Sequence, residues 1–124
     1  NLYINRSITA TRGYHSDGFG PKVKSFLYLN DVTDDAMGPY CYARGTYNHA
    51  SLRACNVELA SRFSDTLKST TFDYWDRRRE VKFLGDAGDF AMTFQSGAHR
   101  GWPQRRGKER FALVQTFMPD GIDV

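Results

Sequence analysis

The sequence predicts a mainly β fold, an antiparallel barrel or jelly roll, and three observations carry that prediction. Short apolar or alternating runs recur along the chain, each closed by Gly, Pro or charged turns. Only one stretch changes to a helical period. No helical pattern separates successive runs, as a parallel α/β sheet would require.

Residues 2–11, LYINRSITAT, are rich in β-branched and aromatic side chains and read as a strand closing before Gly13. VKSFLYLNDV, 23–32, is a firmer strand, bounded by Gly20-Pro21 and by the polar turn TDDAMGP. YCYARGTY, 40–47, is a third. From Ser51, a potential N-cap, Leu52, Cys55, Leu59 and Phe63 recur three and four apart, which predicts a helical insertion near residues 51–67. STTFDYWDRRR mixes charges with aromatic residues and predicts neither state. EVKFLG, DFAMTFQ and RFALVQTFM then alternate or run apolar as three further strands. There is no internal repeat, low-complexity linker or phosphate-binding glycine loop.

At 124 residues the chain holds one domain at most. No apolar run is long enough to cross a bilayer, and no leader pattern opens the sequence, so the expected location is cytoplasmic with no membrane partner. Cys41 and Cys55 are too few for a disulfide framework or a structural zinc site and are read as reduced. The net charge of +3 comes from local basic clusters, Arg77-Arg78-Arg79 and Arg105-Arg106, with Lys108 and Arg110 nearby. These read as a solvated face. A nucleic-acid partner would want a broader basic surface or an aromatic-basic motif, whereas an anionic small molecule stays possible.

The chemistry centres on RGYHSD, 12–17. In an extended chain the side chains at i and i+2 share a face, so His15 and Asp17 can address one ion while Ser16 points away. Such a short motif recurs by chance and needs a third ligand. His99, in GDFAMTFQSGAHRGWP, follows a strand and precedes a Gly-Trp-Pro turn, where loops carry function. Two histidines and an aspartate form the facial triad that leaves ferrous iron three open positions. His49 competes for the third place, with a capping or supporting role as its ordinary reading. Arg110 opens the last apolar strand with Ala112, Val114 and Thr116 on its face, a costly position unless the guanidinium meets an anion such as a carboxylate.

Together, YHSDGFGPKVKSFLYLNDVTDDAMGPYCYARGTYNH and GDAGDFAMTFQSGAHRGWPQRRGKERFALVQTFMP resemble the phytanoyl-CoA dioxygenase family of iron(II)/2-oxoglutarate-dependent oxygenases. The matching features are His-x-Asp, the YLNDV strand, the acidic turn ending in Gly-Pro, the GDF turn, and a distal His followed by Arg at the family's separation. The resemblance implies a double-stranded β-helix, a cupin-like barrel. It implies iron(II) held by His15, Asp17 and His99, with Arg110 on the distal carboxylate of 2-oxoglutarate. The implied reaction hydroxylates an unactivated C–H of a small organic substrate, consuming dioxygen and converting 2-oxoglutarate to succinate. Retention of Asp17 favours hydroxylation over the halogenation that relatives lacking this carboxylate perform.

Two departures stand out. The family's Gly-Ser-His corner is here GTYNH, ending at His49, and a hydroxyl residue common two positions past the distal His is here Gly101. Co-substrate holding would then lean on Arg110, with Tyr40 and Arg12 as helpers. Family members are typically much longer, so the chain is expected to be a fragment or a minimal version. Two rival readings are a cupin-like metal enzyme that does not use 2-oxoglutarate and a non-catalytic ligand-binding barrel. Tyr14, Phe19, Tyr42, Tyr47 and Trp102 offer apolar walls for a substrate the sequence does not identify, and Arg105-Arg106 suggest an anionic one.

Overall fold

A computed structural model describes residues 1–18, 20–47 and 77–120. Seven strands run through the described residues: β1 (Leu2–Arg6), β2 (Val23–Tyr28), β3 (Tyr40–Ala43), β4 (Glu80–Phe83), β5 (Phe90–Phe94), β6 (His99–Gly101) and β7 (Glu109–Phe117). They form two antiparallel sheets, one ordered β1-β7-β2-β5 and the other β4-β3-β6. The mainly β expectation therefore holds. The helical insertion near 51–67, along with His49, Cys55 and Phe19, lies outside the described residues.

Several strands are shorter than their sequence patterns. β1 stops at Arg6 because Ser7 takes a left-handed conformation, φ 52°; its N–H makes the last in-register ladder bond, to the Lys108 carbonyl at 2.9 Å, and the chain then turns away. β3 stops at a turn containing Gly45, φ 74°, where the Thr46 hydroxyl donates to Ala43 O and accepts from the N–H of Ala98. Beyond β2 the Asn30 side chain accepts the Phe111 N–H at 2.6 Å, and the chain re-pairs only at the Val32–Gly85 bridge.

The sheets face each other through aromatic side chains. Phe26 of β2 stacks on Tyr40 of β3, ring centroids 4.0 Å apart, and Tyr28 stacks on Phe83 of β4 at 4.5 Å. The buried Tyr28 hydroxyl donates to the Phe83 carbonyl at 2.7 Å and accepts the Tyr40 N–H at 3.2 Å, so its polar end is satisfied. Val32, Ala112 and Val114 complete this core. A second cluster of Tyr14, Cys41, Ala43 and Ala98, backed by Trp102, covers the opposite side of the smaller sheet. Cys41 is a free thiol pushed up to about 12 by burial, which leaves it protonated and inert. Among the described residues no helix is long and apolar enough to cross a membrane.

Candidate metal centre

The segment after β1 reaches β6 by a single antiparallel bridge between His15 and His99, with N···O distances of 3.0 and 2.9 Å. The Asp17 N–H then donates to Gln95 O at 2.9 Å, which fixes the next turn of the segment. Alternation does the rest: Ser16, 1% exposed, points away and donates to Gly18 O, while His15 and Asp17 emerge together beside His99.

Both imidazoles are anchored in the same way. His15 Nδ1 lies 2.8 Å from Gly13 O and His99 Nδ1 lies 2.9 Å from Gly97 O. A ring that donates from Nδ1 to a carbonyl keeps its lone pair on Nε2. Those Nε2 atoms sit 3.6 Å (His15) and 3.5 Å (His99) from the two oxygens of Asp17, and the three potential ligand atoms lie within 4.8 Å of one another. Two ligands bound at about 2.0–2.2 Å and roughly at right angles to one ion are about 3 Å apart, so each histidine–aspartate pair needs only about half an ångström to close, and the three ligand atoms together draw in from a spread within 4.8 Å. Two lone pairs and a carboxylate aimed at a common point are repulsive without a cation between them. The donor set therefore fits a divalent metal.

Charge state agrees with that fit. Burial, reinforced by the neighbouring His99, lowers His15 to about 4, so it is neutral at physiological pH. Burial raises Asp17, but the hydrogen bond and charge of Lys24 favour the ionised form, and the carboxyl is held well below the usual range. Lys24 Nζ is 2.5 Å from Asp17 Oδ2.

The centre opens into a cavity of about 240 Å³ between the two sheets, lined by Lys24, Phe26, Tyr40, Gln95, Arg110 and Val114 among others. Arg110 projects inward from β7; its Nη1 donates to Gly38 O at 2.6 Å and Nη2 to Asn5 Oδ1 at 3.2 Å. Its Nε is buried with no partner, and neither of those acceptors is charged. Burial lowers its pKa, a sign that a counter-anion is wanted. The Tyr40 hydroxyl lies 2.8 Å from Thr93 Oγ1 and accepts from Gln95 Nε2 at 3.3 Å.

The structure thus brings together His15, Asp17, His99, Arg110 and Tyr40. Arg12 does not line this cavity and its Nε and Nη2 are buried without partners, but its charge acts on the neighbouring Asp17. Arg105 and Arg106 occupy an exposed turn, and Tyr14, Tyr42, Tyr47 and Trp102 likewise lie outside the cavity lining. Lys24, Gln95 and Asn5 were not singled out by sequence. The signal for Lys24 was available, since VKSFLY places a lysine on the same alternating face as Phe26 and Tyr28.

No protein-family model and no curated protein sequence matches the chain. Solved structures do. A non-heme monooxygenase, ThoJ in its nickel complex, superposes with a TM-score of 0.64 at 21% identity, over 95% of this chain and 42% of that one. HygX from Streptomyces hygroscopicus, with nickel and 2-oxoglutarate bound, gives 0.64 at 16% identity over 98% of this chain and 55% of that one. SnoN, a non-heme alpha-ketoglutarate-dependent epimerase from nogalamycin biosynthesis, gives 0.65 at 15% identity over 98% of this chain and 50% of that one. The chain shares their fold. It spans about half the length of these proteins.

Proposed function

We propose that this chain forms the metal- and co-substrate-binding barrel, a double-stranded β-helix, of an iron(II)/2-oxoglutarate-dependent hydroxylase of the phytanoyl-CoA dioxygenase type. The observation that carries the reading is the convergence of His15 Nε2, Asp17 and His99 Nε2 within 4.8 Å, each imidazole fixed through Nδ1. Neighbouring folds solved with iron, or with nickel and 2-oxoglutarate, bound support it.

In this reading His15, Asp17 and His99 hold iron(II), and the Gly13 and Gly97 carbonyls hold the two imidazoles in their liganding tautomer. Arg110 takes the distal carboxylate of 2-oxoglutarate, which gives its unpartnered guanidinium edge the anion it lacks. Tyr40 offers a hydroxyl to the same ligand, while Phe26 and Val114 exclude water from its carbon chain. When bound, iron with 2-oxoglutarate and dioxygen supplies the oxidising power that replaces a substrate C–H by C–OH and releases succinate and carbon dioxide. The protein's own share is orientation: a small organic substrate must present one C–H to the open side of the triad.

The test is anaerobic addition of iron(II) and then 2-oxoglutarate, followed by absorption. A weak visible charge-transfer band that is missing in Asp17→Ala is the expected result. Iron uptake with no band would favour a cupin-like metal enzyme that does not use 2-oxoglutarate, and no uptake would favour a ligand-binding barrel.

A further inference from the structure

Lys24 has no part in the reading above, yet it makes the shortest contact at the centre. It lies on the inward face of β2, with Thr93 of β5 and Thr116 of β7 as its cross-strand neighbours. Its ammonium is 2.5 Å from Asp17 Oδ2, the same oxygen that lies 3.5 Å from His99 Nε2. Both side chains are largely shielded, 22% and 23% exposed, and both line the cavity that holds Arg110. The carboxylate a metal needs is therefore already bound to a cation of the protein.

We propose that Lys24 is a placeholder cation: it holds Asp17 in the metal-free protein, yields the carboxylate to a divalent metal, and then turns its ammonium into the cavity as a second cation beside Arg110 for an anionic group of the ligand. The proposal rests on the metal-centre reading. Its physical basis is that an ammonium and a divalent ion on one carboxylate repel each other strongly in a site with little water to screen them. Without metal, an Asp17 lacking Lys24 would face two imidazole lone pairs with no cation in contact, only the attraction of Arg12. Lysine suits the exchange, because its ammonium is a point charge on a flexible stem that can change partners without losing a fixed two-point geometry. Metal would thus bind first, and anion binding would follow at a site the metal has just made more positive.

Manganese(II), a redox-silent probe, tests the first half by calorimetric titration of Lys24→Met and Lys24→Arg without any added anion. Lys24→Met should bind manganese about tenfold or more tightly than the wild type, a change of about 1.4 kcal/mol or more, and Lys24→Arg should stay near the wild-type value. The metal-free Lys24→Met protein should also melt at a lower temperature and recover more on adding manganese. Weaker or unchanged manganese binding would overturn the proposal, since Lys24 would then be a support for Asp17 and not a competitor. Lys24→Gln repeats the titration should Lys24→Met not fold. For the second half, 2-oxoglutarate is titrated into the manganese-loaded proteins, where Lys24→Met should lose about tenfold in affinity; an unchanged affinity would overturn the transfer of the ammonium. Should the wild type take manganese but no 2-oxoglutarate, the hydroxylase reading fails, and the manganese comparison by itself decides the placeholder role.

Discussion

A histidine that is to bind a metal must be neutral, and the neutrality of His15 has a measurable consequence for the metal-free chain. Its folded pKa is about 4, below the ordinary value of 6.5, so between those pH values the unfolded chain holds a proton that the folded chain does not. Stability is then complete above about pH 6.5 and is lost as pH falls towards 4, by at most roughly 3–4 kcal/mol. Thermal melts across this window check the sign; a melting temperature that rises on acidification would mean that His15 is protonated against Asp17 in the fold. Arg110→Lys replaces a planar fork held by Gly38 O and Asn5 Oδ1, and should weaken 2-oxoglutarate binding by roughly 1.5–3 kcal/mol, read by titration. An unchanged affinity would remove Arg110 from the ligand site. At this scale the sequence was informative wherever chemistry narrows residue choice. His15, Asp17, His99 and Arg110 could be picked out because histidines are few in this chain and buried arginines are scarce, and because alternation in an extended chain puts His15 and Asp17 on one face. Arg12 was less legible: it neighbours the motif in sequence, but the direction of its side chain depends on packing that no local pattern encodes.

Elements position the site through their ends more than through their lengths. Gly38 closes the 3₁₀ turn Asp35–Met37 in a left-handed conformation, φ 74°, and its carbonyl receives the Arg110 guanidinium. A Cβ there would lie 2.5 Å from Gln104 Cγ and 2.8 Å from the Trp102 carbonyl. Gly38→Ala combines backbone strain with a clash against main chain, so it should destabilise the fold by about 1–3 kcal/mol and also weaken 2-oxoglutarate binding by shifting Arg110's anchor. Denaturant unfolding and ligand titration on the same protein separate the two effects; full stability with full affinity would show that the turn relaxes freely. Strand existence followed from apolar alternation in β2, β5 and β7, whereas strand ends did not. Ser7 ends β1 through its left-handed backbone, φ 52°, and the Asn30 side chain ends β2 by taking the Phe111 N–H, and both override β propensity. β6 was missed as a strand because His-Arg-Gly carries no alternation; it is held by pairing with β3 and with His15.

On the scale of the whole molecule, the four-stranded sheet has two unlike faces. Its inward residues, among them Tyr28, Ala112 and Val114, meet the smaller sheet and the cavity. Its outward residues are nearly as apolar but lie open: Leu2, Ile4, Leu113 and Phe117 on β1 and β7, and Phe90, Met92 and Phe94 on β5 are all among the exposed large hydrophobic side chains. The register aligns Leu2, Leu113, Leu27 and Phe90 in one row across the four strands, so the patch is continuous. β5 is also an edge of this sheet, with unpaired backbone groups that can template association. A contiguous apolar face beside an open edge exceeds what isolated soluble chains usually tolerate. The 124-residue chain by itself should therefore scatter light increasingly with concentration and bind a hydrophobic dye. Replacing Phe90 and Met92 with Lys and Glu puts charge on the outward side of the edge strand, while Ala91 between them and Thr93 after them point the other way. That double variant should stay dispersed at concentrations where the wild type associates, and its manganese affinity should remain within about twofold, below half a kcal/mol. Unchanged scattering would show that the face is not the source of association, and a lost metal site would show that the two sides of the sheet are coupled more tightly than alternation implies.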